Sequence, residues 1–453
     1  GCCYDIYAAG FTSGDKSTYP DVKQILAGQV LVISKGEVEV EDTHNFFSPT
    51  VPFEEPSQTA YENKLTEVLE QTFVNLKKSL NGRQACIPLS AGLDSRLVLS
   101  GLLRSGHKNV LAFSYGLKSN SDAETARKIC QKLGVKWVFI EMKPRSIRKF
   151  AKSSIFRDYY KFAFRGDSVP FLQDLYAIYV LKECSTHINA GAVFINGNSG
   201  DFISGLHIPK SIHCFAGKSL DTGEIEKVAE AYIEKHFSLW QDEFNERHKL
   251  RLSPHIFDQL IEVSGGSKEL VNLTSFESLE WRQRQTKFVV TGQRVYDFYG
   301  FDWRLPLWEK PIFEFFKNIP LELKFDQCLY RQTLVKNNWG DVWSDIPINE
   351  KKIRPLWVRV ARVFAKVFVA PFGREVWKKF DKCIFAYWQN PICSFSYFPF
   401  YQSFIFFGKN RNSISIRAKY LCKDLASLGC FHRGVRCPDS DKKTDCFDLK
   451  RAD

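Results

Sequence analysis

The sequence predicts an α/β protein, with a parallel sheet covered by helices in its first half and a mostly helical second half. Three observations carry this expectation. Short apolar runs alternate with helix-length amphipathic stretches between about residues 61 and 201, the pattern of parallel strands joined by helical crossovers. The first of those strands runs into a Ser- and Gly-rich turn, and the fourth into a loop bearing Gly and Asp. From about Phe215 onward the pattern is mostly helical.

Taken in order, Val30–Ser34 and Glu37–Glu41 flank Lys35-Gly36, and Val38 and Val40 alternate with glutamates, so a hairpin is expected there. Phe46 to Pro52 reads as an irregular linker. Leu65, Val68, Leu69, Phe73, Leu76 and Leu80 then recur at helical spacing. Strands are expected at Ala85–Leu89, Asn109–Tyr115, Val135–Ile140 and Ala192–Asn196, with helices at Arg96–Leu103 and Asp122–Leu133. Ligands of such a sheet belong at the carboxyl ends of its strands.

With 453 residues, the chain suits two or three domain-sized units, divided at residues 1–53, 54–355 and 356–453. An apolar share of 44% supports a real core and excludes a disordered chain. No run of about 18 uncharged apolar residues is present, so no membrane-spanning helix is expected. The N-terminus lacks the basic and apolar regions of a signal peptide. Its 13 scattered Cys do not suggest a disulfide framework, and a reduced, cytoplasmic setting is expected. The net charge of +12 suits nucleic acid, anionic lipid or a phosphate-rich substrate, and alone decides nothing.

The chemistry is concentrated in Ile87-Pro88-Leu89-Ser90-Ala91-Gly92-Leu93-Asp94-Ser95-Arg96, between a strand and a helix. A Ser/Gly-rich turn there can aim several backbone N–H groups and the helix dipole at a polyphosphate. Ser90 and Ser95 offer hydroxyls to the same oxygens. Asp94, an anion in a phosphate nest, makes sense with a magnesium ion between it and the phosphates. The plainer reading of the same residues is a strand-to-helix turn capped by Ser95.

Ser90–Ser95 resembles the pyrophosphatase loop, Ser-Gly-Gly-x-Asp-Ser, of the asparagine synthetase family, with Ala91 replacing the first Gly. Phe113-Ser114-Tyr115-Gly116 is similar to the strand end that contacts adenine in that family. Asn196-Gly197-Asn198-Ser199-Gly200-Asp201 resembles its second acidic loop, and Arg304-Leu305-Pro306-Leu307-Trp308-Glu309 its Arg-x-Pro-Phe-Leu-Asp segment. Tyr19 to Gln29 looks like the stretch leaving the family's glutaminase domain, so residues 1–53 read as a remnant of such a domain.

The resemblance implies an adenine nucleotide alpha hydrolase-like fold, the Rossmann-like PP-loop domain, over residues 54–355. It further implies ATP as cofactor, held by Leu89, Ser90, Gly92, Asp94, Ser95, Tyr115 and Gly197, and Mg2+ held by Asp94 and Asp201. The implied reaction adenylates a carboxylate and passes it to ammonia or another amine. A cation from Lys351 or Lys352 would stabilise the leaving pyrophosphate. The family's deprotonating glutamate falls on Asn198 here, and an amide is no general base.

Only about 50 residues precede the synthetase-like region, and Gly1 precedes Cys2, so no glutaminase activity is expected. Ammonia, or an amine supplied by a separate glutaminase, is the expected donor. The acceptor is a small-molecule or glycan carboxylate, or a lipid-linked acid. A tRNA-modifying PP-loop enzyme would explain the charge, but no RNA-binding module is evident, so nucleic acid is not favoured. A non-catalytic relative is opposed by the intact loop residues and mildly favoured by Asn198.

Val358–Phe407 mixes Phe and Tyr with Arg359, Arg362, Lys366, Arg374, Lys378 and Lys379. It reads first as core-facing helical packing and second as a peripheral membrane contact. Cys422, Cys430, His432, Cys437 and Cys446 form no Cys-x-x-Cys knuckle, so no zinc site is expected.

Overall fold

A computed structural model describes residues 2–46, 57–184, 187–349, 356–389, 394–405 and 409–427. The chain opens with helix α1 (Cys2–Ala9), which packs against the helix Ser413–Ser427 near the other end of the described chain. Ile6, Ala8 and Phe11 are fully buried there among residues of the middle of the chain, including Ile225, Val228 and Phe276. No sequence signal had placed a buried helix at the start.

The hairpin forms as expected, β1 (Gln29–Ser34) pairing antiparallel with β2 (Glu37–Asp42). Lys35 and Gly36 both have positive φ, 51° and 84°, the two-residue turn whose twist matches the strands it joins. Phe46 is buried against Phe202 and Phe313, so the expected linker begins on a core residue. Residues 47–52 of that linker lie outside the described residues.

Helix α2 (Gln58–Leu80) is capped by Ser57 and buries Leu65, Leu69, Phe73, Leu76 and Leu80, the stripe its sequence spacing predicts. A five-stranded sheet follows, built from β3 (Ala85–Pro88), β4 (Val110–Gly116), β5 (Lys136–Glu141), β6 (Val193–Ile195) and β7 (Asp302–Arg304). Its order is β5-β4-β3-β6-β7, and every pairing is parallel. Helices α3 (Leu93–Arg104) and α4 (Ser121–Leu133) form the first crossovers. β7 was not legible as a strand, because Asp302-Trp303-Arg304 is too short to show a period.

Side chains on the two faces of the sheet enter separate cores. Ala85, Ile87, Ala112 and Ile195 join α2 and α3, whereas Cys86, Leu111, Phe113 and Phe194 join the helices around Tyr159, Leu175 and Tyr296. Such two-sided burial is what a parallel sheet requires. One buried cation ties the first core together. Arg96, fully buried on α3, donates to the carbonyls of Val342 (2.9 Å), Ile346 (2.8 Å), Pro347 (3.0 Å) and Ala91 (3.2 Å).

The second half is helical, and no described helix is long and apolar enough to cross a membrane. The stretch expected to face a core divides in two. Phe385, Tyr387, Tyr397 and Phe398 are buried. By contrast, the helix Leu356–Val369 leaves most of its apolar side chains exposed.

Candidate functional site

The sheet order explains where the site lies. The chain leaves β3 toward β4 and β5 on one side, and later lays β6 and β7 on the other. Loops leaving β3 and β6 therefore diverge, and an α/β sheet opens a crevice at such a switch point. A cavity of about 570 Å³ occupies it.

The first wall is the loop after β3. The Leu89 N–H donates to the Phe113 carbonyl (2.8 Å), which ties the loop to β4. Gly92 caps α3 with no side-chain hydrogen bond, so the helix N-terminus remains available to an anion. Ser95 is not the cap that the plainer reading expected. Its Oγ accepts the Ser90 N–H (3.1 Å) and lies 3.1 Å from Ser90 Oγ, which in turn accepts the Gly92 N–H (3.2 Å).

Asp94, on the first turn of α3, accepts a hydrogen bond from the Tyr330 hydroxyl (3.0 Å). The second loop, after β6, presses on it. A Cβ at Gly200 would stand 2.3 Å from Asp94 Cγ, and one at Gly197 would stand 2.6 Å from the Asp94 carbonyl carbon. Both positions therefore require glycine for clearance, which is a physical reason for the Gly-x-x-Gly-Asp pattern of this loop. The approach brings Asp201 to Asp94, 107 positions away in sequence. Burial first, and then the Asp201 charge, push the Asp94 carboxyl up to about 8.

Asp201 stays ionised. Burial opposes its charge, but a hydrogen bond from His207 Nε2 (3.1 Å) and one from the Phe202 N–H (2.9 Å) hold it below the usual carboxylate range. Asp201 thus carries the negative charge of the pair and Asp94 the proton, the usual outcome for two adjacent carboxyls. Among the described residues, no cluster of three or more His, Cys, Asp or Glu side chains could hold a metal by itself. Two carboxylates facing a phosphate nest do fit Mg2+, which binds through one or two carboxylates with phosphate and water completing its shell.

The opposite wall is helical. His207 bridges Asp201 on one ring nitrogen and Glu280 on the other. Burial works against the imidazolium, but Glu280 and Asp201 together carry its pKa up to about 9. Glu280, fully buried, ends the helix Leu273–Glu280, with Lys235 Nζ 3.4 Å away. Burial disfavours its charge, yet His207, His236 and Lys235 hold it well below the usual range.

The next turns, Trp281–Val289, are π-helical, and the Val290 N–H reaches back to the Gln285 carbonyl. Such widened turns recur at functional sites. Here they line the cavity with Arg284, Gln285 and Phe288. Gln285 accepts the Ser199 hydroxyl (2.8 Å) and donates to Glu280 (3.0 Å). The Arg284 guanidinium lies 4.2 Å from the Phe288 ring centre, and its Nη1 is buried with no hydrogen-bond partner among the described residues. Burial lowers its pKa to about 10, so it remains a cation.

Of the residues expected from sequence, Leu89, Ser90, Gly92, Asp94, Ser95, Tyr115, Gly197 and Asp201 all line this cavity, as does Asn198. The Tyr115 hydroxyl is bonded to Asp174, which also accepts the Tyr296 hydroxyl (2.7 Å). Lys351 and Lys352 lie outside the described residues. Asn349, just before them, lines the cavity and donates its N–H to the Ala91 carbonyl (3.1 Å). Arg304 is outside the lining and bonds the Trp303 carbonyl (2.8 Å), whereas Leu307 packs under Gly200.

Sequence reasoning missed Asp174, His207, Lys235, Glu280, Arg284 and Tyr330. One signal was available. Glu277 and Glu280 stand in a short segment whose other residues are mostly apolar or small, where a carboxylate must be buried and therefore paired.

Comparison with known proteins agrees with this geometry at the level of family. The asparagine synthase family model matches residues 64–336, more than half of the chain. No curated protein matches. Among solved structures, the ammonia-dependent NAD synthetase of Campylobacter jejuni, determined with a nitrate ion, is 17% identical. The match covers 50% of this chain and 95% of that one, with a TM-score of 0.24, too loose a superposition to bear on the site. The extent of the family match, over the loops that build the cavity, is what assigns the protein: this chain belongs to the asparagine synthase family, whose members use ATP.

Proposed function

We propose that the cavity activates a carboxylate with ATP and passes it to an amine. The observation that carries this reading is the meeting of Asp94 and Asp201 beside a helix N-terminus that no side chain caps, since Asp94 makes no ion pair among the described residues and a magnesium ion on a polyphosphate would supply its cation. ATP lies with its phosphates on Ser90, Gly92 and Ser95 and its adenine toward Tyr115. A substrate carboxylate oxygen bonds to the α-phosphorus while the bond to the β-phosphate breaks, and pyrophosphate leaves with the electron pair. The amine nitrogen then bonds to the acyl carbon, AMP departs, and the nitrogen gives up a proton. Asp94 and Asp201 would hold Mg2+, which would offset phosphate charge there. A cation from Lys351 or Lys352 would stabilise the leaving group.

The acid substrate sits toward the helical wall. Asp201 and Glu280 contribute two negative charges there, and His207, Lys235 and Arg284 three positive ones, so the wall holds one cation in excess. Arg284, half-buried with its Nη1 unbonded among the described residues, is that cation, and a guanidinium fork matches a carboxylate. This favours an anionic acceptor over a nucleic acid base. Ammonia or a separately supplied amine is the second substrate, and we place the enzyme in the cytoplasm and its ATP-binding unit at residues 54–355. The test is pyrophosphate release by the purified chain over a panel of small, glycan and lipid-linked acids with ammonium. Release that depends on one class of acid is expected, and release unaffected by any acid would sink the proposal.

A further inference from the structure

We propose that the helix Leu356–Val369 is a membrane-surface anchor that lies in the interface of an anionic bilayer. Its orientation is the first argument. A surface helix of a globular protein turns its apolar stripe inward, and this one does the reverse. At about 100° per residue, Leu356, Val360, Val363, Val367, Phe364 and Phe368 fall in one continuous arc, and all six are exposed. Phe364 is 66% and Phe368 71% exposed, and Phe372, just beyond, reaches 76%. The side facing the protein holds Val358, the helix's one buried side chain among those described, and Arg362, which bonds Asp381 through two nitrogens (2.5 and 2.8 Å). An apolar patch of this extent on a protein surface marks an interaction site.

Charge names the partner. Arg359 and Lys366 flank one edge of the apolar arc, and Arg374 and Lys379 lie on the next helix, Arg374–Ile384. None of the four has a carboxylate within ion-pair distance among the described residues, whereas Glu375 pairs with Lys378 (2.6 Å). An apolar face rimmed by unpaired cations suits acyl chains beneath anionic headgroups. A second copy of the chain suits it poorly, because pairing two such faces would set like charges against each other on a protein already at +12.

Length fixes the mode of contact. Fourteen residues make a helix about 21 Å long, short of the roughly 30 Å of a bilayer core. The helix therefore lies along the surface with its apolar arc downward. It begins seven residues after Asn349, which is bonded to the nucleotide loop, so the anchor is tied to the cavity by no more than about 25 Å of chain.

The test is co-sedimentation of the full chain with vesicles of phosphatidylcholine alone or mixed with phosphatidylglycerol, at low and high salt. The wild type should sediment with the anionic vesicles, less so at high salt as screening shortens the reach of charge. F364D/F368D should abolish binding, with an unchanged melting temperature because both side chains are exposed. K366Q/K379Q should weaken it about twenty-fivefold, at about fivefold per cation near an anionic surface. No sedimentation of the wild type, or full binding by F364D/F368D, would overturn the proposal. So would a wild-type dimer that F364D/F368D converts to a monomer, since a second copy would then cover the face.

Discussion

The two walls of the cavity hold charge in different ways. On the loop wall, backbone N–H groups and the hydroxyls of Ser90 and Ser95 are arranged locally, and Asp94 meets the Asp201 charge as a protonated carboxyl with no ion pair of its own among the described residues. On the helical wall, Glu280 is fully buried and compensated by His207 and Lys235, drawn from two other segments. The first arrangement is incomplete without ligand, and the second is complete without it. Substitutions on the loop wall should therefore act on chemistry, and those on the helical wall on the fold as well.

The sharpest contrast comes from removing one carboxylate on each side. Asp94→Asn and Asp201→Asn should each lower acid-dependent pyrophosphate release by about a thousandfold or more while leaving the protein folded. The double variant should be little worse, because groups acting as a unit are non-additive. If Asp201→Asn kept near-normal release, the two loops would not share one site. Glu280→Gln should instead lower stability by about 3–5 kcal/mol, since it leaves buried cations unpaired. Thermal denaturation of Glu280→Gln decides this, and an unchanged melting temperature would erase the distinction between the walls.

A smaller effect is expected at Arg284, the one member of the helical wall that resembles the loop wall in lacking a partner. Arg284→Gln should raise KM for the acid about ten- to hundredfold, the worth of a hydrogen bond to a charged group, with a small change in melting temperature. An unchanged KM for acid together with a raised KM for ATP would move Arg284 to the phosphate side.

The ligand-free protein should also show a pH dependence. Asp94 has a folded pKa of about 8 against an ordinary 3.8. The native state therefore holds more protons than the unfolded chain between those values, and stability falls as pH rises from about 4 to 8. His207, raised from 6.5 to about 9, adds a further fall between those values, as the stability present below 6.5 is lost. Asp94→Asn should flatten the lower part of the profile and leave the upper part. Denaturant midpoints across this range measure it, and identical profiles for both proteins would refute the assigned proton.

What the sequence revealed follows the same division. The loop wall was legible because its cavity-lining residues are neighbours in sequence, all lying between Ser90 and Ser95. The strands β3 to β6 were legible for a related reason, since strands buried on both faces are continuous apolar runs. The helical wall was hardly legible, because His207 and Lys235 come from segments far from Glu280 and Arg284, and only Glu280, in its apolar and small surroundings, signals burial. The exposed face of Leu356–Val369 was half legible. Its apolar and basic residues are plain in the sequence, but which side meets the protein depends on Arg362 finding Asp381, a tertiary event.

Arg96 also dates the assembly of the molecule. Its guanidinium is satisfied mainly by carbonyls of residues 342–347, about 250 positions farther along the chain. A ribosome adding about 5–20 residues per second makes them about 12–50 seconds after Arg96 itself. All seven strands of the described residues have left the peptidyl-transferase centre by then, the last ending at Arg304. A nascent chain halted before Val342 would thus hold every strand of its sheet and still carry an unsatisfied cation beneath its nucleotide loop. The loop is the first part of the site to be synthesised, and the carbonyls that satisfy the cation beneath it come about 250 positions later.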